Sequence, residues 1–366
     1  MKKGIKIIRM AMHSPGWYAY RANGIGGSEV GTVLGINKYD TWMRIYHEKV
    51  GTADLWMEDN TKMFWGREHE NKIAEIWQYW DDTPDGYVKN RANNRVIRRC
   101  KNVNGYVVNP KYPWLFASVD RVINIEGGAN FITSEPLTDE VPLECKTLSY
   151  WASQVWESGI PQYFLVQLQT YMIILEVDYA EIAILKDGND FRVEYIQQDR
   201  AMAEKILEVT KSFWYDRIVP AKEAFLKRNE ADIAGEIAIA EKYDAIIQRL
   251  EPPPDDTEAY KEYMSLKFLK ERDRIQGSFA LFAVCREDEM LKKIIQRLGF
   301  KRDYTKNQLI EYMVNNRSDF IDFGNDGGVR WVDKRNLTTK SLVINLKEKP
   351  SEDIVDREIG KLDLTY

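Results

Sequence analysis

The sequence predicts an α/β fold: a core over residues 1–230 with a mixed central sheet flanked by helices, then a mainly helical extension over 231–366 with a small terminal β element. Three observations predict it. In 63–80, Phe64, Ile73, Ile76, Trp77 and Trp80 recur at three- and four-residue spacing, the period of a helix with one buried face. Short apolar runs follow, with turn signals at Asn104-Gly105 and Asn109-Pro110, and these read as strands. Helical and strand patterns then alternate, which is how layered α/β cores are built.

Taken in order, residues 38–50 read as a helix, then 63–80 as a second. Residues 87–125 read as β-structure, with one strand in LFASVDRVI (115–123) and another in VPLECKTL (141–148). Residues 126–140 between them read as a hairpin loop. A helix is expected at 149–158 and another from Pro161 to about Glu176, because proline suits a first helical turn, where its missing N–H costs nothing. Strands at 180–186 and 191–197 and a long helix from Asp199 to about Asn229 complete the core. Beyond it, helices at 231–250 and 257–275 are split by EPPPDD (251–256), whose prolines must break a helix. Helices at 283–298 and 306–315 and β segments at 327–336 and 341–346 follow.

The net charge of −5 argues against a protein that coats DNA non-specifically. Within this acidic chain, residues 85–121 carry Lys89, Arg91, Arg95, Arg98, Arg99, Lys101, Lys111 and Arg121 against only Asp85 and Asp120. These cations either guard a strand edge or meet phosphates. Aromatics make up 12% of the chain, enough to fill a large core or to stack on bases. Cys100, Cys145 and Cys285 are scattered and lack CxxC spacing, which excludes a disulfide framework, a structural zinc site and a four-cysteine iron–sulfur cluster. No apolar run approaches the ~20 residues of a membrane span, and MKKGIKIIRM has no apolar signal-peptide segment, so the expected location is cytoplasmic, with no membrane partner.

The candidate chemistry lies on the paired strands. Glu144 and Lys146 in PLECK point to one face of a strand and Cys145 to the other. A neighbouring strand bringing Asp120 beside them makes a cluster of two carboxylates and an ammonium. Such crowding invites a hard divalent cation, which lowers the pKa of a water and stabilises a leaving oxygen in phosphodiester attack. A surface ion pair on two strand ends is the alternative. Glu70 in WGREHEN either faces inward or pairs with Arg67 or Lys72. In PQYFLVQLQTYM, at least one of Gln167 and Gln169 must be buried and hydrogen-bonded; Gln167 suits the holding of a water or phosphate.

RANGIGGSEV (21–30) lacks the lysine and spacing of a P-loop and the glycine spacing of a dinucleotide fingerprint. Its glycines read as a tight turn opening a helix with Ser28 as N-cap. Such an N-terminus, completed by Arg21, is an anion site, or the segment is a plain capped turn. His13, His47 and His69 are not spaced as a metal cluster.

The order Arg21…Ser28, Glu70, Asp120, Glu144-x-Lys146, Gln167 resembles the lambda-exonuclease/YqaJ family of viral recombination nucleases, in the PD-(D/E)xK superfamily. R-x-x-x-IGGSE, VLGINKYDT and HEKVG resemble the family's N-terminal pattern, WGREHEN its helix with the first acidic residue, and PQYFLVQLQTYM its Tyr-x-x-x-Gln-x-Gln-x-x-Met helix. The resemblance covers about residues 15–200. It implies a restriction-endonuclease-like core and a Mg²⁺-dependent exonuclease, with Mn²⁺ as substitute, that degrades double-stranded DNA ends 5′ to 3′ and leaves a 3′ single strand for phage-type recombination by annealing. Carried over by position, Asp120, Glu144 and the backbone carbonyl of Cys145 hold metal, Glu70 serves a second metal or its waters, Lys146 assists the attacking water, Gln167 positions it, and Arg21 and Ser28 take the 5′-phosphate. The implied partners are DNA ends, a single-strand annealing protein and further copies of the chain in a trimeric ring. Two features depart from the pattern: Arg121 stands where a small residue is usual beside the metal ligand, and the region after 230 is long. The rival expectation is a non-catalytic DNA-end-binding protein that keeps the nuclease fold.

Overall fold

Strands β3 (Cys100–Asn102), β6 (Arg121–Ile123), β7 (Val141–Leu148), β8 (Tyr179–Lys186) and β9 (Asp190–Gln197) form the sheet that positions the site, in the order β3-β6-β7-β8-β9. The computed structural model describes residues 2–11, 14–53, 61–83, 85–149, 152, 155, 156, 159–267, 278–323, 327–333 and 340–346. β7 and β8 are parallel, with Glu144 opposite Ile182, and the other neighbours are antiparallel, so the sheet is mixed as expected. The crossover from β7 to β8 runs through helix α6 (Gln162–Leu175). Pro161 opens that helix and Glu176, at φ 54°, closes it in the left-handed region. Residues 166–175 are all buried, so the helix is clamped on every side, and both glutamines go inside.

A second sheet, β1 (Lys6–Arg9), β2 (Ile25–Gly26), β4 (Gly105–Val108) and β5 (Leu115–Ala117), runs in the order β1-β4-β5-β2. Around it lie α1 (Pro15–Arg21), α2 (Gly27–Val33) and α3 (Trp42–Val50). Helix α4 (Thr61–Trp77) packs on β7 and β8. The core joining these layers buries Trp77, Leu143, Leu168, Tyr179 and Ile182 almost completely, each worth about 1.5–3 kcal/mol relative to exposure. The aromatic richness is spent largely here and in a Trp17, Tyr106 and Phe116 cluster.

Several expectations are corrected. Residues 86–92 form helix α5 (Gly86–Ala92) instead of β-structure. The segment 115–123 is not one strand. β5 pairs in one sheet and β6 in the other, and Ser118–Asp120 is the break between them. The basic stretch is mostly neutralised: Arg91, Arg98, Lys101, Lys111 and Arg121 pair with Glu75, Glu181, Glu140, Glu176 and Glu70. Arg98 is buried between Trp77 and Phe131, its guanidinium carbon 4.2 and 4.6 Å from the ring centroids, so it serves the core.

Residues 200–233 are helical as expected, as α7 (Arg200–Ser212), a π turn (Phe213–Ile218) and α8 (Val219–Ile233). The π turn precedes Pro220, whose missing N–H and bulky ring cannot fit a regular turn. The expected boundary at 230 does not hold: the chain divides into units Met1–Arg272 and Asp273–Tyr366. Helix α9 (Ile237–Leu250) packs on α8 and buries Ile247, whose carbonyl accepts from the Tyr46 hydroxyl at 2.7 Å. The proline segment is tied to the start of α3 by Thr41–Asp255 and Trp42–Pro253 hydrogen bonds. Helix α10 (Glu258–Lys267) follows. In the second unit, the two helices expected at 283–298 and 306–315 are one, α11 (Phe279–Asn315), because Gly299 alone is too weak a breaker. Strands β10 (Phe320–Asp322), β11 (Gly327–Asp333) and β12 (Lys340–Leu346) form an antiparallel sheet. Most of the helix expected at 149–158, and His13, lie outside the described residues.

Candidate active site

The site forms where the break before β6 meets the middle of β7. Asp120 sits at the end of that break, and its Oδ2 accepts from the Cys145 backbone N–H at 2.8 Å. Strand alternation puts Glu144 and Lys146 on one face, and the ammonium lies 2.5 Å from Glu144 Oε1. From α6, Gln167 Nε2 donates to the same Oε1 at 2.8 Å. Glu144 is 3% exposed, and its Oε2 has no hydrogen-bond partner among the described residues.

Electrostatics follow from burial and crowding. Burial, and then the Asp120 charge, push Glu144 up to about 7. Burial also raises Asp120. Burial opposes charge on Lys146, yet Glu144 and Asp120 hold its ammonium above the ordinary lysine value. The Asp120 and Glu144 carboxylates, with one Glu144 oxygen lacking a hydrogen-bond partner among the described residues, form a hard, negative donor set.

Glu70 comes to this cluster from α4. Burial and Asp120 raise its pKa, and Lys72 pairs with Glu75 instead, so Lys72 is not its partner. Arg121 is a partner of Glu70: its guanidinium pairs with that carboxylate, donates to Asn71 Oδ1 at 2.6 Å and reaches the Asp120 carbonyl. Among the described residues, no group of three His, Cys, Asp or Glu side chains forms a candidate metal cluster. The oxygen donors that face one another are Asp120 and Glu144, with the Cys145 backbone between them. These fit a divalent cation in kind, and Glu144 Oε2 is the atom left to meet one.

The glycine turn differs from expectation. Ser28 is not the N-cap. Gly26 caps α2, and Glu29 takes that role's side-chain part by accepting from the Gly26 N–H at 2.7 Å. Ser28 is exposed within the first turn. Arg21 donates to Glu29 Oε1, and so does Lys49, at 2.9 Å, while Lys49 also donates to the Arg21 carbonyl at 2.7 Å. Burial would raise Glu29, but Arg21 and Lys49 hold it at about 2. Burial brings Lys49 down to about 8 despite Glu29. Glu29 and Lys49 were not among the sequence candidates. The Gly26-to-Glu29 spacing of a capping box was the available signal for Glu29, and the lysine of HEKVG was the signal for Lys49.

Of the sequence candidates, Glu70, Asp120, Glu144, Lys146 and Gln167 come together. Gln169 faces elsewhere, bridging the Gln197 carbonyl and the Asp199 N–H. His47 is buried against Thr52 and Glu251, and His69 stacks on Trp65.

Residues 16–178 match the YqaJ-like viral recombinase domain. An uncharacterized protein, YqaJ of Bacillus subtilis (strain 168), is 26% identical over 236 residues, 61% of this chain; the chain spans 65% of that relative's length. Among solved structures, an alkaline exonuclease from Laribacter hongkongensis is similar at a TM-score of 0.44 and 17% identity, over 60% of this chain and 100% of that one. A phage related exonuclease from Haemophilus somnus 129PT is similar at a TM-score of 0.32 and 14% identity, over 52% of this chain and 91% of that one.

Proposed function

From the match of residues 16–178 to the YqaJ-like viral recombinase domain we propose a Mg²⁺-dependent 5′-to-3′ exonuclease on double-stranded DNA ends. The observation that carries the proposal is the meeting of Asp120, Glu144 and Lys146 around the unpartnered Glu144 Oε2. Asp120, Glu144 and the Cys145 carbonyl would hold the ion, whose bound charge neutralises the phosphate and acidifies a water. The Lys146 ammonium, 2.5 Å from Glu144 Oε1, would orient the nucleophile and offset charge on the phosphate. Gln167 fixes Glu144 by hydrogen bonding and so acts on the nucleophile at one remove. Arg121 holds Glu70 at the edge of the cluster, where Glu70 would serve waters or a second ion. Arg21 and Ser28 flank one turn and would receive the 5′-phosphate. The product is a 3′ single strand suited to an annealing protein, and a ring of three copies is the matching assembly.

The test is digestion of end-labelled linear duplex carrying 5′-phosphate or 5′-hydroxyl ends, in Mg²⁺ and in EDTA. Digestion in Mg²⁺ alone, faster with 5′-phosphate, is expected. No digestion in Mg²⁺ sinks the proposal, and end binding retained without digestion turns the reading to a non-catalytic DNA-end-binding protein.

A further inference from the structure

We propose that Tyr171 is a positioning residue that holds the Gly26-Gly27 turn at a fixed distance from the catalytic carboxylates and acts on Glu144 through Gln167. The inference rests on the nuclease reading above. Tyr171 is 2% exposed, and its hydroxyl makes two hydrogen bonds. It donates to the Ser118 carbonyl at 2.8 Å and accepts from Gln167 Nε2 at 2.9 Å. The same amide nitrogen donates to Glu144 Oε1. Ser118 lies two residues before Asp120, in the break between β5 and β6. One hydroxyl thus restrains the segment that presents Asp120 and, one bond further, the carboxylate of Glu144.

The ring works on the other side. A Cβ on Gly27 would stand 2.4 Å from Tyr171 Cε1, so the ring lies directly against the turn and only glycine permits it. That turn joins Arg21, tethered through Glu29, to Ser28. Tyr171 therefore spans the gap between the residues proposed for the end phosphate and those proposed for the scissile one. An enzyme that removes terminal nucleotides needs those two phosphates held at one spacing, because small misplacements of reacting groups are costly in rate. Loss of the hydroxyl would also strand one buried Gln167 N–H without its acceptor.

The experiment compares Tyr171→Phe, Gln167→Met, the double variant and Gly27→Ala. With 5′-phosphorylated duplex and Mg²⁺, Tyr171→Phe is expected to lower kcat roughly tenfold to a hundredfold with KM within about twofold. The double variant is expected to be no slower than Gln167→Met, since residues acting in series do not add. Gly27→Ala, which displaces the ring from the turn, is expected to lower the preference for 5′-phosphate over 5′-hydroxyl ends. Hydrogen exchange without metal supplies a readout independent of activity: peptides covering 116–124 and 141–148 exchange faster in Tyr171→Phe. Wild-type rates in Tyr171→Phe, or additive losses in the double variant, overturn the proposal. If the wild-type protein digests nothing, the nuclease reading fails, and unchanged exchange in both peptides overturns the positioning role separately. Should Tyr171→Phe not fold, Gln167→Met must speed exchange in 141–148, and its failure to do so overturns the proposal.

Discussion

Gln167 Nε2 lies 2.8 Å from Glu144 Oε1, so one oxygen of this buried carboxylate is held by an amide and an ammonium while the other is left bare. The carboxylate is thus oriented by protein, and its second oxygen is buried with no hydrogen-bond partner among the described residues. Replacing Glu144 by Gln removes a buried charge that burial and Asp120 both disfavour. We expect Glu144→Gln to unfold at the wild-type temperature or above it and to lose digestion by at least about a thousandfold, an exchange of stability for activity common at active sites. Thermal melting beside end-labelled digestion checks it; a lower melting temperature contradicts the account of a disfavoured buried charge.

The Lys146 ammonium lies 2.5 Å from Glu144 Oε1. Lys146→Ala should lose digestion by about a hundredfold to ten-thousandfold, and Lys146→Arg should retain part of it, because charge and not proton transfer is required. An arginine variant as inactive as the alanine one would point to the lysine as a base.

Arg121 is buried between Glu70, Asn71 and the Asp120 carbonyl. Arg121→Ala leaves Glu70 facing Asp120 without its cation and should destabilise the fold by about 3 kcal/mol. Denaturant unfolding measures this; a loss near zero would mean that Glu70 simply turns to solvent, for which its partial exposure leaves room.

Glu29 is held at about 2, below its ordinary value of 4.5. A depressed carboxylate stabilises the fold above about pH 4.5, and that contribution disappears as pH falls through about 2. At neutral pH it is on the order of 3 kcal/mol. The stability gap between wild type and Glu29→Gln should therefore be widest near neutrality and shrink between pH 4.5 and 2. A gap constant across that window, measured by chemical denaturation, would show that the Arg21–Glu29–Lys49 cluster does not depend on the charge.

The exact span of β7 and the helix opened by Pro161 were legible, because periodicity and proline placement are local signals. The helix at 86–92 was not legible: its cations and asparagines carry no clear period, and α4 supplies the packing that sets it. Nor was the break at Ser118–Asp120, since an apolar run does not announce that its halves join different sheets. The boundary near 230 read a change in surface charge as a change of unit, whereas Ile247 and the proline segment dock onto α3 and α8.

The sequence by itself determined which groups the site contains: two carboxylates and an ammonium on paired strands, a third carboxylate on a helix, a glutamine on another, and a glycine turn ahead of them. Only the tertiary structure decided who holds whom. Glu70 goes to Arg121, 51 positions away, and Gln167 to Glu144, 23 positions away. Arg21 goes to Glu29, and Tyr171 joins the turn to the carboxylates. Residue type and spacing follow from the chain's own periods, but a hydrogen bond needs atoms within about 3 Å, and for distant residues that depends on how the sheets and helices pack.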